Sequence, residues 1–276
     1  MTVLTKPTIT YQIEFQAAGQ YDISLSPSLS QEQPAVYTTL RTYHDTAVLN
    51  WHEHMSRLLD SSSLLGFSFP CDSDTLKSIL RDIVGPVRQE DVRLRIVAPK
   101  AVSGQTPTLA ISLEPLPDYP YRGYIAYTHR GQREQARAKN FQFTHTAETI
   151  RKQYPANAEE VLLVAGSGEI LEGLSSNFYA IHAGILYTAG EGVLSGTTRT
   201  AILNLSKQIG IEQIHQGWNV NRLGELSEAF ITSVSRGVLP ITRIDQQIIG
   251  DGNPGKVTSK IHAAYLRWVE DHLETL

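Results

Sequence analysis

Apolar residues recur along this chain with two periods, two and about 3.6 residues, and the switches between them mark out its elements. Ile9, Tyr11, Ile13 and Phe15 alternate with polar neighbours, the pattern of a half-buried strand. Tyr37 to Tyr43 is rich in threonine and aromatic residues and reads as a second strand. The period then lengthens. Trp51, Met55, Leu58, Ser62 and Leu65 share a helical face, with Asn50 and Glu53 in capping-box positions and Gly66 as a stop. Leu76, Ile79, Leu80 and Ile83 predict a second helix from Thr75 to Val84. Val92-Leu94-Ile96 and Leu109-Ile111-Leu113 alternate again and predict strands.

The segment from Leu116 to Gly123 carries two prolines and a glycine. It predicts a break, with a small domain over residues 1–117, a connecting loop at 118–123 and a larger domain over 124–276. Beyond it, strands are predicted near Tyr124–Thr128, Val161–Val164, Phe178–Ile181, Leu186–Thr188 and Ala229–Ser233. Helices are predicted near Thr146–Gln153, over Thr197–Ile209, and through Val257, Ile261, Ala264, Tyr265 and Trp268. Strand-rich halves with segregated helices give an α+β class.

Composition narrows the function classes. The chain has 276 residues, 41% of them apolar, enough for a sizeable core and too apolar for disorder. No run approaches the ~20 apolar residues of a membrane span. Cys71 is the single cysteine, which excludes an intramolecular disulfide and a thiolate metal cluster. A net charge of −4 with no basic stripe argues against nucleic acid as a partner. The start of the chain shows no basic-then-apolar export signal, so a cytoplasmic location is the expectation. His52 and His54 are two apart on a predicted helix and point to different sides, so they do not share a metal.

Four places carry candidate chemistry. His54, Arg57 and Ser61 share one helix face, where the arginine either binds an anion or forms a structural salt bridge. In Leu194-Ser-Gly-Thr-Thr-Arg199, a loop with Gly196 opens into the Thr197 helix, as an anion cradle or an ordinary threonine cap. Glu172 stands in an apolar stretch, as a functional carboxylate or an edge residue facing water. Lys139 lies among apolar and aromatic neighbours, where partial desolvation would favour a nucleophilic amine. Gly166-Ser-Gly168 lacks a strand-to-helix context and reads as a hairpin turn.

In chain order these pieces resemble the class IV pyridoxal-phosphate aminotransferases, the fold-type IV family of branched-chain and D-amino-acid aminotransferases and aminodeoxychorismate lyases. The matching residues are His54-x-x-Arg57-Leu58-x-x-Ser61, Lys139, Glu160 and Glu172-Gly-x-x-x-Asn177-Phe178. Leu194-x-Gly196-x-Thr198-Arg199, Glu228-Ala-Phe230-Ile-Thr232-Ser233, Gly237-x-x-Pro240 and Pro254-Gly255-x-x-Thr258 follow. The resemblance implies pyridoxal 5′-phosphate as cofactor, with Lys139 as the Schiff-base lysine and proton carrier. It implies Glu172 on the pyridine nitrogen, Arg57, Thr197, Thr198 and Ser235 on the phosphate, and Asn177 as a brace of the Glu172 strand. It also implies an amino donor and a keto acid as substrates, and a homodimer.

The chain departs from the family pattern in places. Where relatives open with acidic and glycine-rich positions, this chain reads Pro34-Ala-Val-Tyr37-Thr38-Thr39-Leu-Arg41 after Ser30-Gln-Glu-Gln. Asn140-Phe-Gln-Phe-Thr144 replaces the Asn-Tyr after the lysine, leaving Thr144 as the candidate ring-hydroxyl contact. Val234 takes the place of a phosphate-binding threonine. On the substrate side Tyr37, Thr39 and Arg41 share a strand face and Thr38 faces away. The resemblance places this strand along the substrate pocket, which makes Tyr37 and Arg41, with Arg93 or Arg95, the candidate substrate binders, the alternative for Arg41 being a structural ion pair. The rival functions are a lyase that releases pyruvate and a cofactor-binding protein without turnover.

Overall fold

The structure, a computed structural model, describes residues 8–16, 20–26, 33–87 and 91–276. Positions 30–32 of the divergent stretch lie outside the described residues. Two compact units are present: residues through Asp118 with Ala138–Gln142 and His272–Leu276, and Tyr119–Arg137 with Phe143–Asp271. The two short segments join the first unit by strand pairing, a feature that division at a proline-rich loop does not capture.

The first unit holds β1 (Ile9–Phe15), β2 (Tyr21–Leu25), β3 (Ala35–Arg41), β4 (Ala47–Leu49), β5 (Val92–Pro99) and β6 (Thr108–Pro115). Its helices are α1 (Trp51–Leu64) and α2 (Ser73–Val84). Five strands pair antiparallel in the order β2-β1-β6-β5-β3. Alternation puts Val36, Leu40, Leu94, Ile96 and Ile111 on one face, buried against Met55, Leu58, Leu76, Ile79 and Leu80. Each fully buried Leu or Ile contributes about 1.5–3 kcal/mol of transfer free energy.

Helix starts correct two expectations. Asn50 adopts a left-handed conformation (φ 55°, ψ 44°) and its side chain makes no cap hydrogen bond. A capping side chain needs an extended backbone, so the capping box does not form, and Trp51 N donates to Glu274 Oε1 instead. The second helix begins at Ser73, two residues early, because Asp72 is extended and accepts from Thr75 N at 2.8 Å. Cys71 is outside the chemistry, for burial and the Asp72 charge push its thiol up to about 12.

The second unit contains β7 (Tyr124–Arg130), α3 (Gln142–Arg151, whose first residue belongs to the first unit), β8 (Glu160–Val164), β9 (Ile170–Gly173) and β10 (Ser176–His182). It continues with β11 (Ile185–Tyr187), α4 (Thr197–Gln208), β12 (Gln213–Ile214), β13 (Glu228–Ser233), β14 (Gly237–Ile244), β15 (Gln247–Ile248) and α5 (Lys256–Asp271). A last strand, β16 (Leu273–Thr275), returns to pair with β4 in the first unit. The pairing order β10-β13-β14-β7-β8-β9 closes on itself, since β9 also pairs with β10. Ala126, Leu162, Ile170, Phe178, Ile231, Leu239 and Ile241 form its core. Gly166 and Ser167 make the predicted turn between β8 and β9. Glu228 caps α5 from outside, accepting from Val257 N (2.9 Å) and Thr258 N (2.7 Å). Among the described residues no helix is long and apolar enough to cross a membrane.

Candidate active site

In the first unit the chemistry gathers around Lys139. The 138–142 segment runs along β3: Tyr37 N donates to Lys139 O at 3.0 Å and Phe141 N to Ala35 O at 2.8 Å. Ser61 Oγ, fully buried on α1, accepts from Lys139 N at 3.0 Å. The lysine backbone is thus held from both sides. Its Nζ lies 4.7 Å from the centre of the Tyr37 ring, which in turn meets Phe141 edge-on, so the half-buried amine sits over an aromatic face.

Thr38 lies on the opposite face of β3, as the alternation requires, and there it meets α1. Arg57 Nη2 donates to Thr38 Oγ1 at 2.9 Å and stands 3.2 Å from His54 Nδ1; Thr38 Oγ1 is 2.7 Å from the same nitrogen. Guanidinium only donates, so Nδ1 accepts and the imidazole proton sits on Nε2. Burial and the Arg57 and Lys139 charges hold His54 well below its ordinary pKa. Its folded pKa is depressed, so its contribution to stability is complete above about pH 6.5, the unfolded value, and is lost as pH falls below that. Urea unfolding at pH 7.5 and pH 5.5 is expected to show a loss of up to about 1.4 kcal/mol per pH unit below 6.5, and His54→Asn should flatten it.

The arginines considered for substrate are engaged by carboxylates of their own unit. Arg41 Nη2 is 3.2 Å from Asp91 Oδ2 and its guanidinium stacks on Tyr43. Arg93 Nε donates to Glu114 Oε2 at 2.8 Å, and Arg95 Nε is 3.3 Å from Glu114 Oε1. For Arg41, then, the structural ion pair replaces the expected inward cation, because Asp91 lies just before β5 where the β3 arginine reaches it.

In the second unit Asn177 is the hub. It pairs with Glu172 across β9–β10 and with Thr232 across β10–β13. Its side-chain amide donates to Leu194 O at 3.0 Å, so it braces the loop into α4 as well as the Glu172 strand. A Cβ on Gly196 would collide with Asn177 Oδ1, which is why the loop passes here on a glycine. Gly196 caps α4 without a side-chain hydrogen bond, and Thr197 and Thr198 occupy its first turn, both buried. Arg199, also buried, donates to Thr188 Oγ1 (2.5 Å) and Ala189 O (2.8 Å) and anchors that turn. Ser235 is half-buried in the turn after β13, three residues beyond Thr232. Thr144 lies in the first turn of α3.

Glu172 is not an edge residue. Its side chain is 2% exposed and its Oε2 accepts from Leu194 N at 3.1 Å. Arg133, 3% exposed, places Nε 3.0 Å from Glu172 Oε1 and stacks on Phe143. No motif or spacing marks Arg133 in the polar run before Lys139. Thr38 as partner of Arg57, and Arg236 as partner of Glu160, are equally silent in the sequence, whereas His54 lies on the helix face that spacing already gives to Arg57.

A buried carboxylate beside a helix N-terminus and a serine turn can hold a protonated ring nitrogen and a phosphate. Residues 35–244 match the amino-transferase class IV family. D-alanine aminotransferase of Bacillus licheniformis is 27% identical over 250 residues, covering 83% of this chain and 85% of the relative. A branched-chain-amino-acid aminotransferase of Pseudomonas aeruginosa is 24% identical over 87% of this chain and 85% of its own length. A branched-chain amino acid aminotransferase of T.th., complexed with N-(5′-phosphopyridoxyl)-L-glutamate, superimposes with a TM-score of 0.83 at 20% identity over 99% of both chains. The Escherichia coli branched-chain enzyme does so with 0.81 at 20% identity over 98% and 99%.

The chain belongs to the class IV aminotransferases, enzymes of fold type IV. Its activity is that of an aminotransferase dependent on pyridoxal 5′-phosphate.

Proposed function

We propose that this protein moves an amino group from an amino acid to a 2-keto acid, with Lys139 as covalent anchor and proton carrier. The observation that carries the residue assignment is the joint hold of Asn177 on the Glu172 strand and the Gly196 loop, which gathers a carboxylate and an anion cradle. The residues of the second unit suit the cofactor: Glu172 its pyridine nitrogen, and Thr197, Thr198 and Ser235 its phosphate, with Arg57 of the first unit assigned to the phosphate by the family resemblance alone. When bound, the cofactor supplies an electron sink for the pair of electrons left as the substrate Cα loses its proton. Glu172 keeps a proton on the ring nitrogen, Lys139 Nζ carries the Cα proton, and Tyr37 walls the amine from water. A homodimer in the cytoplasm, with neither nucleic acid nor membrane as partner, completes the proposal.

The test is spectroscopic. An amino acid alone should convert the bound pyridoxal form to the pyridoxamine form, and a keto acid should reverse it. Pyruvate released without an acceptor would instead identify a lyase, and no response to any donor a binding protein.

Two variants probe the assignments. Arg57→Ala is expected to weaken cofactor affinity by about 2–5 kcal/mol, as for a desolvated charge pair, measured by equilibrium dialysis. Arg41→Ala is expected to leave unchanged the ratio of kcat/KM for an amino acid over its decarboxylated amine, since Asp91 already engages that guanidinium. A collapse of the ratio would return Arg41 to the substrate site.

A further inference from the structure

Glu160 opens β8 and is fully buried, yet nothing in the reaction calls for it. Its Oε2 accepts from Arg236 Nη2 at 2.7 Å, from Ser176 Oγ at 2.7 Å and from Ser175 Oγ at 3.2 Å. Its Oε1 accepts from Val161 N at 3.0 Å and from Arg151 Nη2 at 3.3 Å. Burial favours the neutral acid, but the Arg236 and Arg151 charges and the hydrogen bonds outweigh it, and the carboxyl stays below its ordinary pKa.

Arg236 reaches this carboxylate from the turn between β13 and β14. Its Nε donates to Ser233 Oγ at 3.1 Å, and its Nη2 also meets Ser175 O (3.1 Å) and Ser175 Oγ (3.0 Å). One guanidinium therefore ties together β8, the β9–β10 turn and the turn that carries Ser235. Gly173 shows that the β9 strand is built around the arrangement. A Cβ there would meet Glu160 Cδ at 2.8 Å and Cγ at 2.9 Å, and would collide with Ser176 Oγ. The residue next to Glu172 is thus a glycine because Glu160 lies against it.

A buried ion pair is weak ground for stability, since well-packed apolar residues often serve as well. What this one fixes is geometry. We propose that Glu160 and Arg236 form a positioning clamp that holds the Ser233–Gly237 turn against the Glu172–Ser176 hairpin, so that Ser235 is set to bind a phosphate monoester. The clamp spans two groups assigned to opposite ends of one ligand, the ring-nitrogen carboxylate and the phosphate turn. It rests on the cofactor assignment above.

The experiment compares equilibrium binding of pyridoxal 5′-phosphate and of pyridoxal, which lacks the phosphate, to the full-length protein. Arg236→Met should raise the Kd for the phosphate ester about tenfold, the effect typical of losing a group that orients direct contacts, and leave that for pyridoxal nearly unchanged. Arg236→Lys keeps the charge on Glu160 but not the three-way fork, so it should fold as wild type and still lose part of the phosphate preference. Equal weakening of both ligands, or an unchanged preference in the folded lysine variant, overturns the clamp. A wild-type protein with no preference for the phosphate ester overturns the cofactor assignment and the clamp with it.

Discussion

Lys139→Ala is expected to lower transamination by at least about four orders of magnitude, because the substitution removes the covalent anchor and the proton carrier together. The backbone around it is held by Ser61, Tyr37 and Ala35, so the variant should fold and unfold in urea as wild type does. Borohydride treatment of the wild-type protein followed by peptide mapping should find the phosphopyridoxyl group on Lys139. A tag on another lysine would remove Lys139 from the reaction.

The second large effect is expected at Glu172. Glu172→Gln should retain cofactor but lower kcat by about two to four orders of magnitude, since an amide does not hold the ring nitrogen protonated. Glutamine also leaves Arg133 as a buried cation without its carboxylate, at a cost of about 3–5 kcal/mol in stability. The double variant Glu172→Gln with Arg133→Met separates the two. Stability should recover while kcat stays low; recovery of kcat would show that the single variant fails through misfolding alone.

Periodicity locates the elements that keep one wet side, and short apolar runs locate buried strands such as β8 and β10. The period-2 run of β1 and the helical stripe of α1 are cases in which burial on one face leaves a clear record. Strands β2 and β14 are not among those the sequence predicts. Tyr21, Ile23 and Leu25 of β2 alternate with polar residues, but the strand is short and half-buried to exposed throughout. In β14, Pro240 argues against a strand, yet it pairs with Phe230 between β13 and a bulged stretch of β14. The third helix starts at Gln142 rather than near Thr146, and no described residue of it is fully buried, so no apolar stripe marks its start.

Lys139, Glu172 and the Gly196-Thr197-Thr198 run stand out in the sequence as candidates because each residue type carries its own chemistry in a recognisable order. Partners do not. Arg133 reaches Glu172 from the loop before Lys139, and Arg236 reaches Glu160 from a turn, each from far along the chain, which single-sequence spacing does not encode. Arg41 shows the converse: its strand face was right, but the Asp91 that engages it is 50 residues away.

The return of residues 138–142 to lie along β3 has a consequence for handling the chain. Without that segment the backbone groups of Ala35 to Tyr37 on that side would have no partner, beside apolar Val36 and Tyr37. Such an unsatisfied sheet edge is a template for intermolecular pairing. A fragment ending near Asp118 would also lack the β16 strand that completes β4. It should therefore self-associate, and a newly made chain has to shield that edge until Lys139 itself has been synthesised.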